Sequence, residues 1–170
     1  MSANGLGVEG RGRQDQRVAR WNLAAEAGSA AAARALTGQA LREWQVNDQD
    51  DRDDIVLMVD ELVTNAVVHG EGTVRLRLRL NGAHLIAEVG DDNPAAPAPP
   101  GPGGEPDVLR WAEDGRGLLL VGALATAYGT RPENRGKTVW FSRALRAVNG
   151  RGHAAAADIP PAGTAPLASP

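Results

Sequence analysis

The 170-residue sequence contains no cysteine, which excludes a disulfide framework, a thiolate metal site and a cysteine nucleophile. Histidine is nearly as scarce: only His69, His84 and His153 could offer imidazole, and they lie too far apart for zinc-ligand spacing. Basic charge is not in excess either. A formal net charge of −3 and a pI near 5.6 give no overall attraction to nucleic acid or to an anionic membrane, so direct binding to either is not expected. Residues 1–20 hold no apolar run, read as neither signal peptide nor spanning segment, and point to a cytoplasmic protein. Lysine is almost missing as well: Lys137 is the only one, and the remaining basic side chains are arginines. With the abundance of Ala, Gly and Pro, this bias looks compositional rather than local.

What is present arranges itself around a central folded unit. Residues 1–20 and 148–170 are rich in Gly, Ala, Pro and polar residues without apolar periodicity, and are expected to be disordered tails flanking one domain over residues 21–147. Ser29 is placed to cap a helix running to about Trp44. A second helix is expected at about 50–69, with Asp50, Asp51, Asp53 and Asp54 in its first turn, where carboxylates favour the positive end of the dipole, and Gly70 as its stop. The period then changes from helical to alternating: Val74, Leu76, Leu78 and Leu80 interleave with Arg75, Arg77 and Arg79, the pattern of a strand with one wet face. Asn81 and Gly82 signal a hairpin, and Leu85 to Val89 form the return strand into an acidic loop. After a Pro/Ala/Gly-rich stretch from Ala95 to Pro106, Leu118 to Leu124 read as an apolar helix closing near Gly129, and Lys137 to Leu145 as a last strand.

The segment Glu61, Leu62, Val63, Thr64, Asn65, Ala66, Val67, Val68, His69, Gly70 is the richest in chemical content. Ile55, Met58, Val59, Leu62, Val63, Ala66 and Val67 form an apolar stripe at helical spacing, leaving Glu61 and Asn65 together on its flank. Such a pair suits a magnesium-nucleotide site: the Asn oxygen is a hard ligand, and the Glu can orient or deprotonate a nucleophile. It also suits the wet side of an ordinary amphipathic helix.

Three further features carry the same double reading. Gly115 and Gly117, entering a helix, would let backbone N–H groups meet a phosphate, or simply form a tight loop. Asp91, at a strand end, can accept from an exocyclic amine, or make a turn beside Asn93 and Pro94. The Pro/Gly-rich stretch is either a lid over a ligand or a linker. Gly136, Lys137 and Thr138 do not complete a Walker loop, because position 131 is Arg and a strand follows rather than a helix.

In their order along the chain, "ELVTNAVVHG", "DDNP", "GRGLLLVGALA" and "GKTVWF" resemble the successive boxes of the Bergerat-fold ATPases, the superfamily of histidine-kinase ATP domains. The likeness is greatest to its small single-domain anti-sigma-factor serine/threonine kinases, and it covers about residues 21–145. It implies an α/β two-layer sandwich with helices on one face of a mixed, mainly antiparallel sheet. It implies ATP and Mg²⁺ as ligands, with Glu61 as general base on a protein serine hydroxyl and Asn65 as the magnesium ligand. Asp91 would bind the adenine amine, and Thr138 would lie beneath the base. Gly115, Gly117 and Leu118 would border the phosphates, and Arg116 would either add charge near the γ-phosphate or face solvent. Where other members often carry glycines after the Asp, this chain has Asn93 and Ala95.

The expected function is an anti-sigma-factor-type kinase that phosphorylates a protein antagonist, its partners being a sigma factor, an anti-anti-sigma factor or both, with homodimerisation left open. The alternative is an ATP-liganded anti-sigma or regulatory module that transfers no phosphate. A metabolic nucleotide hydrolase is a third reading. The row Arg75, Arg77 and Arg79 is either a solvated sheet face or a dock for an acidic partner.

Overall fold

The computed structural model describes residues 16–93 and 116–146. Its elements follow in the order β1 (Arg17–Leu23), α1 (Ser29–Glu43), α2 (Gln49–His69), β2 (Val74–Asn81), β3 (His84–Asp91), α3 (Arg116–Leu124), β4 (Ala127–Pro132) and β5 (Lys137–Ala144). The strands form one sheet in the order β1-β2-β3-β5-β4, and each neighbouring pair is antiparallel. The helices cover one face of it. The expected two-layer sandwich is therefore present, with a sheet that is antiparallel throughout its described part. No described helix is long and apolar enough to cross a membrane.

Register decides which side chains meet the helices. Val74, Leu76, Leu78 and Leu80 of β2 lie opposite β1 and β3 residues of the same face, and they are buried. On β3 and β5 the inward positions are Leu85, Ala87, Val89 and Asp91, paired with Arg143, Phe141, Val139 and Lys137. From above, Ile55, Met58, Val59, Leu62, Val63 and Ala66 of α2 complete the core. The apolar stripe anticipated for this helix is its buried face.

Local chemistry sets the helix ends. Asp48 caps α2 by accepting from the Asp51 amide at 2.9 Å, an interaction whose loss typically costs about 1 kcal/mol. Ser29 is not a cap. It is the first residue of α1, whose N-cap is Gly28, and its hydroxyl donates to the Ala24 carbonyl at 2.5 Å.

Two strands depart from the sequence expectation. β1 begins at Arg17, inside the stretch expected as a tail, because Ala19, Trp21 and Leu23 find inward positions opposite Leu78, Leu76 and Val74. Helix α3 ends at Leu124 rather than near Gly129, which instead lies within β4. A Cβ at Gly129 would sit 3.2 Å from the Trp140 ring on the neighbouring strand, so this glycine makes room for the indole rather than ending a helix.

The first turn of α2 also does more than complement a dipole. Asp51 is fully buried and accepts from Arg143 Nη2 at 3.0 Å and from the Arg146 amide at 2.6 Å, while Asp54 accepts from Arg143 Nη2 at 2.6 Å. Arg143 donates as well to the carbonyl of Leu124. One guanidinium thus ties the start of α2 to the end of α3 and to β5.

Candidate functional site

Helix α2 presents Glu61 and Asn65 half-buried on one flank, as the i to i+4 spacing requires. Neither makes a hydrogen bond or ion pair to another described residue, whereas the adjacent Asp60 is bonded to Arg34 at 2.8 Å. A carboxylate and a carboxamide therefore stand side by side with their bonding capacity free of partners among the described residues. The start of α3 packs against them. An ideal Cβ on Gly117 would lie 3.1 Å from the Glu61 carboxyl carbon and would overlap its Oε2, so only the bare backbone of glycine admits the carboxylate this close to the helix N-terminus.

The other end of the site is built by the C-terminus of α2 and the ends of β3 and β5. Asp91 is 1% exposed and lies beneath Gly70, where a Cβ would come within 2.8 Å of it. Its Oδ1 accepts from the Asn93 amide at 2.9 Å, and Asn93 Nδ2 donates to the carbonyl of His69 at 2.9 Å. The loop after β3 is thereby laced to the end of α2. Gly136 follows on the far side at φ 90°, with its backbone against the Asp91 carbonyl, a conformation and a closeness that a side chain would not permit. From Glu61 to Gly70 the helix rises about 13 Å, which separates the two ends by a span suited to an extended nucleoside triphosphate.

Other expected site residues fall differently. Thr138 does not face this cleft. It pairs with Gly90 on the outer side of the sheet, and its hydroxyl donates to Glu133 Oε1 at 3.1 Å. The strand alternation gives the inward position to Lys137, whose Nζ lies 3.1 Å from Asp91. Sequence reasoning missed this lysine, although counting back by twos from Phe141 through Val139 would have placed it inward. Leu118 packs its side chain against the core. Gly115, the expected lid at 95–106 and the Arg116 side chain lie outside the described residues.

On the outer face, Arg77 and Arg79 of the β2 row converge on one carboxylate, while Arg75 pairs with Asp92 at 2.5 Å. Glu88, 4% exposed, accepts from Arg131 Nη1 at 2.8 Å and has Arg77 and Arg79 each at 3.6 Å. Burial pushes the Arg77 pKa down, against the attraction of Glu88. For Arg131 burial acts in the same direction, but hydrogen bonds to Glu133 and Glu88 outweigh it and hold the pKa above its ordinary value. Neither a simply solvated face nor a free row of cations describes this side of the sheet.

Among the described residues no group of three or more His, Cys, Asp or Glu is placed to hold a metal ion. The Asn65 carboxamide, unbonded among the described residues, is a hard neutral oxygen donor of the kind that could hold a magnesium ion.

Comparison with known proteins bears on the fold and the family. A family model described as histidine kinase-like ATPase domain matches residues 23–143. Among solved structures, the RsbU and RsbW domains of Rv1364c from Mycobacterium tuberculosis match with a TM-score of 0.57 and 25% identity, over 75% of this chain and 32% of that one. The chain thus spans about a third of that relative's length. Among curated proteins none matches.

Proposed function

Since the chain belongs to the histidine kinase-like ATPase domain family, we propose that it is a magnesium-dependent, ATP-using serine/threonine kinase of the anti-sigma-factor type, acting on a protein antagonist. One observation carries the step from nucleotide binding to transfer. Glu61 is free of described protein partners and lies against the first turn of α3, where a phosphate would meet backbone N–H groups.

In the reaction, a partner's serine or threonine hydroxyl gives its proton to Glu61 while its oxygen bonds to the γ-phosphorus. The bond from that phosphorus to the β,γ-bridging oxygen breaks, and ADP leaves with the electron pair. Phosphoryl transfer requires mainly positioning and charge stabilisation, and the residues divide those tasks. Asp91 accepts from the base at one end, Asn65 holds the middle, and the Gly117 backbone and helix dipole receive the phosphates at the other. Asn65 would hold the magnesium ion, which would supply positive charge against the phosphates. The resemblance to an RsbW domain supports a partner of the sigma-factor or anti-anti-sigma class.

The deciding experiment incubates the protein with γ-labelled ATP and candidate antagonist proteins, with Glu61→Ala alongside. Label on a partner serine or threonine, lost in the variant while nucleotide still binds, is the expected result. Binding without transfer to any cognate partner would instead identify a regulatory module that uses ATP only as a ligand.

A further inference from the structure

Asp91 does not wait for a base alone. Lys137, the only lysine in the chain, reaches it from the neighbouring strand position, with Nζ 3.1 Å from each carboxylate oxygen and only 8% of the residue exposed. Among the described residues Asp91 is the ammonium's hydrogen-bond partner. An ammonium has three hydrogens, so part of its donor capacity remains unspent on described residues. Asp91 for its part spends lone pairs on Lys137 and on the Asn93 amide, but a carboxylate offers about four such positions. The pair therefore presents an acceptor and a charged donor side by side.

We propose that Lys137 is a specificity-determining residue of the base site, and that the Asp91–Lys137 pair admits 6-oxo purines as well as adenine. The proposal rests on the nucleotide-binding reading of the same site. A carboxylate alone discriminates strongly between the two edges. It welcomes the 6-amino group of adenine, a donor, and repels the carbonyl oxygen that guanine and hypoxanthine carry there. An adjacent ammonium removes that repulsion. With adenine, Asp91 takes the amine hydrogen and Lys137 donates to a ring nitrogen. With a 6-oxo purine, Lys137 donates to the carbonyl oxygen and Asp91 takes the ring N–H. The lysine stem is flexible enough to serve both arrangements. Gly70 borders the Asp91 side chain, and Gly136 its main chain, with backbone rather than side chains.

The test is equilibrium binding of the magnesium salts of ATP, GTP, ITP and CTP to the full chain, to Lys137→Met and to Lys137→Arg. Affinity ratios between nucleotides within one preparation are read, because a misfolded fraction cancels from a ratio. The wild-type protein is expected to bind ITP and GTP within about tenfold of ATP, with CTP much weaker. Loss of the charged donor should lower 6-oxo purine affinity relative to ATP by about 10- to 100-fold, the worth of one well-placed base contact. Lys137→Arg should keep most of the wild-type ratio. ATP binding with 6-oxo purines rejected by the wild type, or a ratio unmoved in Lys137→Met, overturns the role of Lys137 and leaves the ATP site standing. Failure of every nucleotide to bind overturns the ATP-site reading itself and the inference with it.

Discussion

The Glu61 carboxylate occupies the space that a Cβ on Gly117 would need, with the ideal Cβ position 3.1 Å from the carboxyl carbon and 3.3 Å from the Glu61 Cβ. Gly117→Ala should therefore push the carboxylate off its position while leaving the core intact, since the displaced atoms are the far end of a flexible side chain. Phosphate transfer to a partner is expected to fall by about 10²-fold, the lower range of what a positioned general base contributes. The melting temperature should move little. Transfer assays and thermal melts on the same sample separate the two effects, and an unchanged transfer rate would remove the functional meaning of this contact.

Much of this arrangement was legible in the sequence because it depends on periodicity. The α2 stripe, the alternation in β2 and the flank position of Glu61 and Asn65 follow from spacings of 3.6 and 2 residues. What was not legible depends on long-range pairing. β1 is a strand because Ala19 and Trp21 find Leu78 and Leu76 across the sheet, some sixty residues later. Arg17 to Arg20 show no strong local signal for that. Likewise Asp51 looked like a dipole partner until the fold brought Arg143 to it. Thr138 and Lys137 differ by one position, and one position is a change of face.

On the outer face, Glu88 is the shared counter-ion of several arginines, with Arg131 at 2.8 Å and Arg77 and Arg79 at 3.6 Å. Glu88→Gln keeps the volume and removes the charge, leaving those guanidinium groups to repel one another. Because the arginines are partly exposed, the loss is expected at about 1–3 kcal/mol rather than the larger figure for a fully buried network. Salt should reduce the deficit by screening the repulsion. Urea unfolding of both proteins at low and at high ionic strength checks the magnitude and the salt effect together.

Acid sensitivity follows from two carboxylates at the same edge. Asp92 is held below the ordinary carboxylate range chiefly by its hydrogen bond from Arg75, and Glu133 chiefly by its hydrogen bond from Arg131. A group whose folded pKa is depressed contributes stability that is complete above its unfolded pKa, about 4, and is lost as pH falls through the folded value. Stability should accordingly decline on acidification below about pH 4. Arg75→Ala should flatten part of that decline, because Asp92 would then titrate at similar pH folded and unfolded. Unfolding midpoints measured from pH 6 downward for both proteins provide the comparison, and parallel curves would show that this pair does not contribute.

The tie between Asp51 and Arg143 sets the strongest stability prediction. Asp51 has no exposed surface, and the Arg143 side chain is 10% exposed, so removing one partner strands the other charge away from water. Asp51→Ala should cost about 3–5 kcal/mol, the usual penalty for breaking a buried pair. It also removes the acceptor of the Arg146 amide, which lies 2.6 Å from Asp51 Oδ2. Arg143→Met should be costly for the converse reason, since Asp51 and Asp54 then face each other at the start of α2 without their shared cation. Combining the two substitutions removes both stranded charges at once. The double variant should therefore lose clearly less stability than the sum of the single losses, the non-additivity expected of groups in direct contact. Denaturant unfolding of the four proteins gives the coupling directly. Additive losses would mean that Arg143 is held mainly by the Leu124 carbonyl and Asp54, leaving Asp51 to serve the backbone of residue 146.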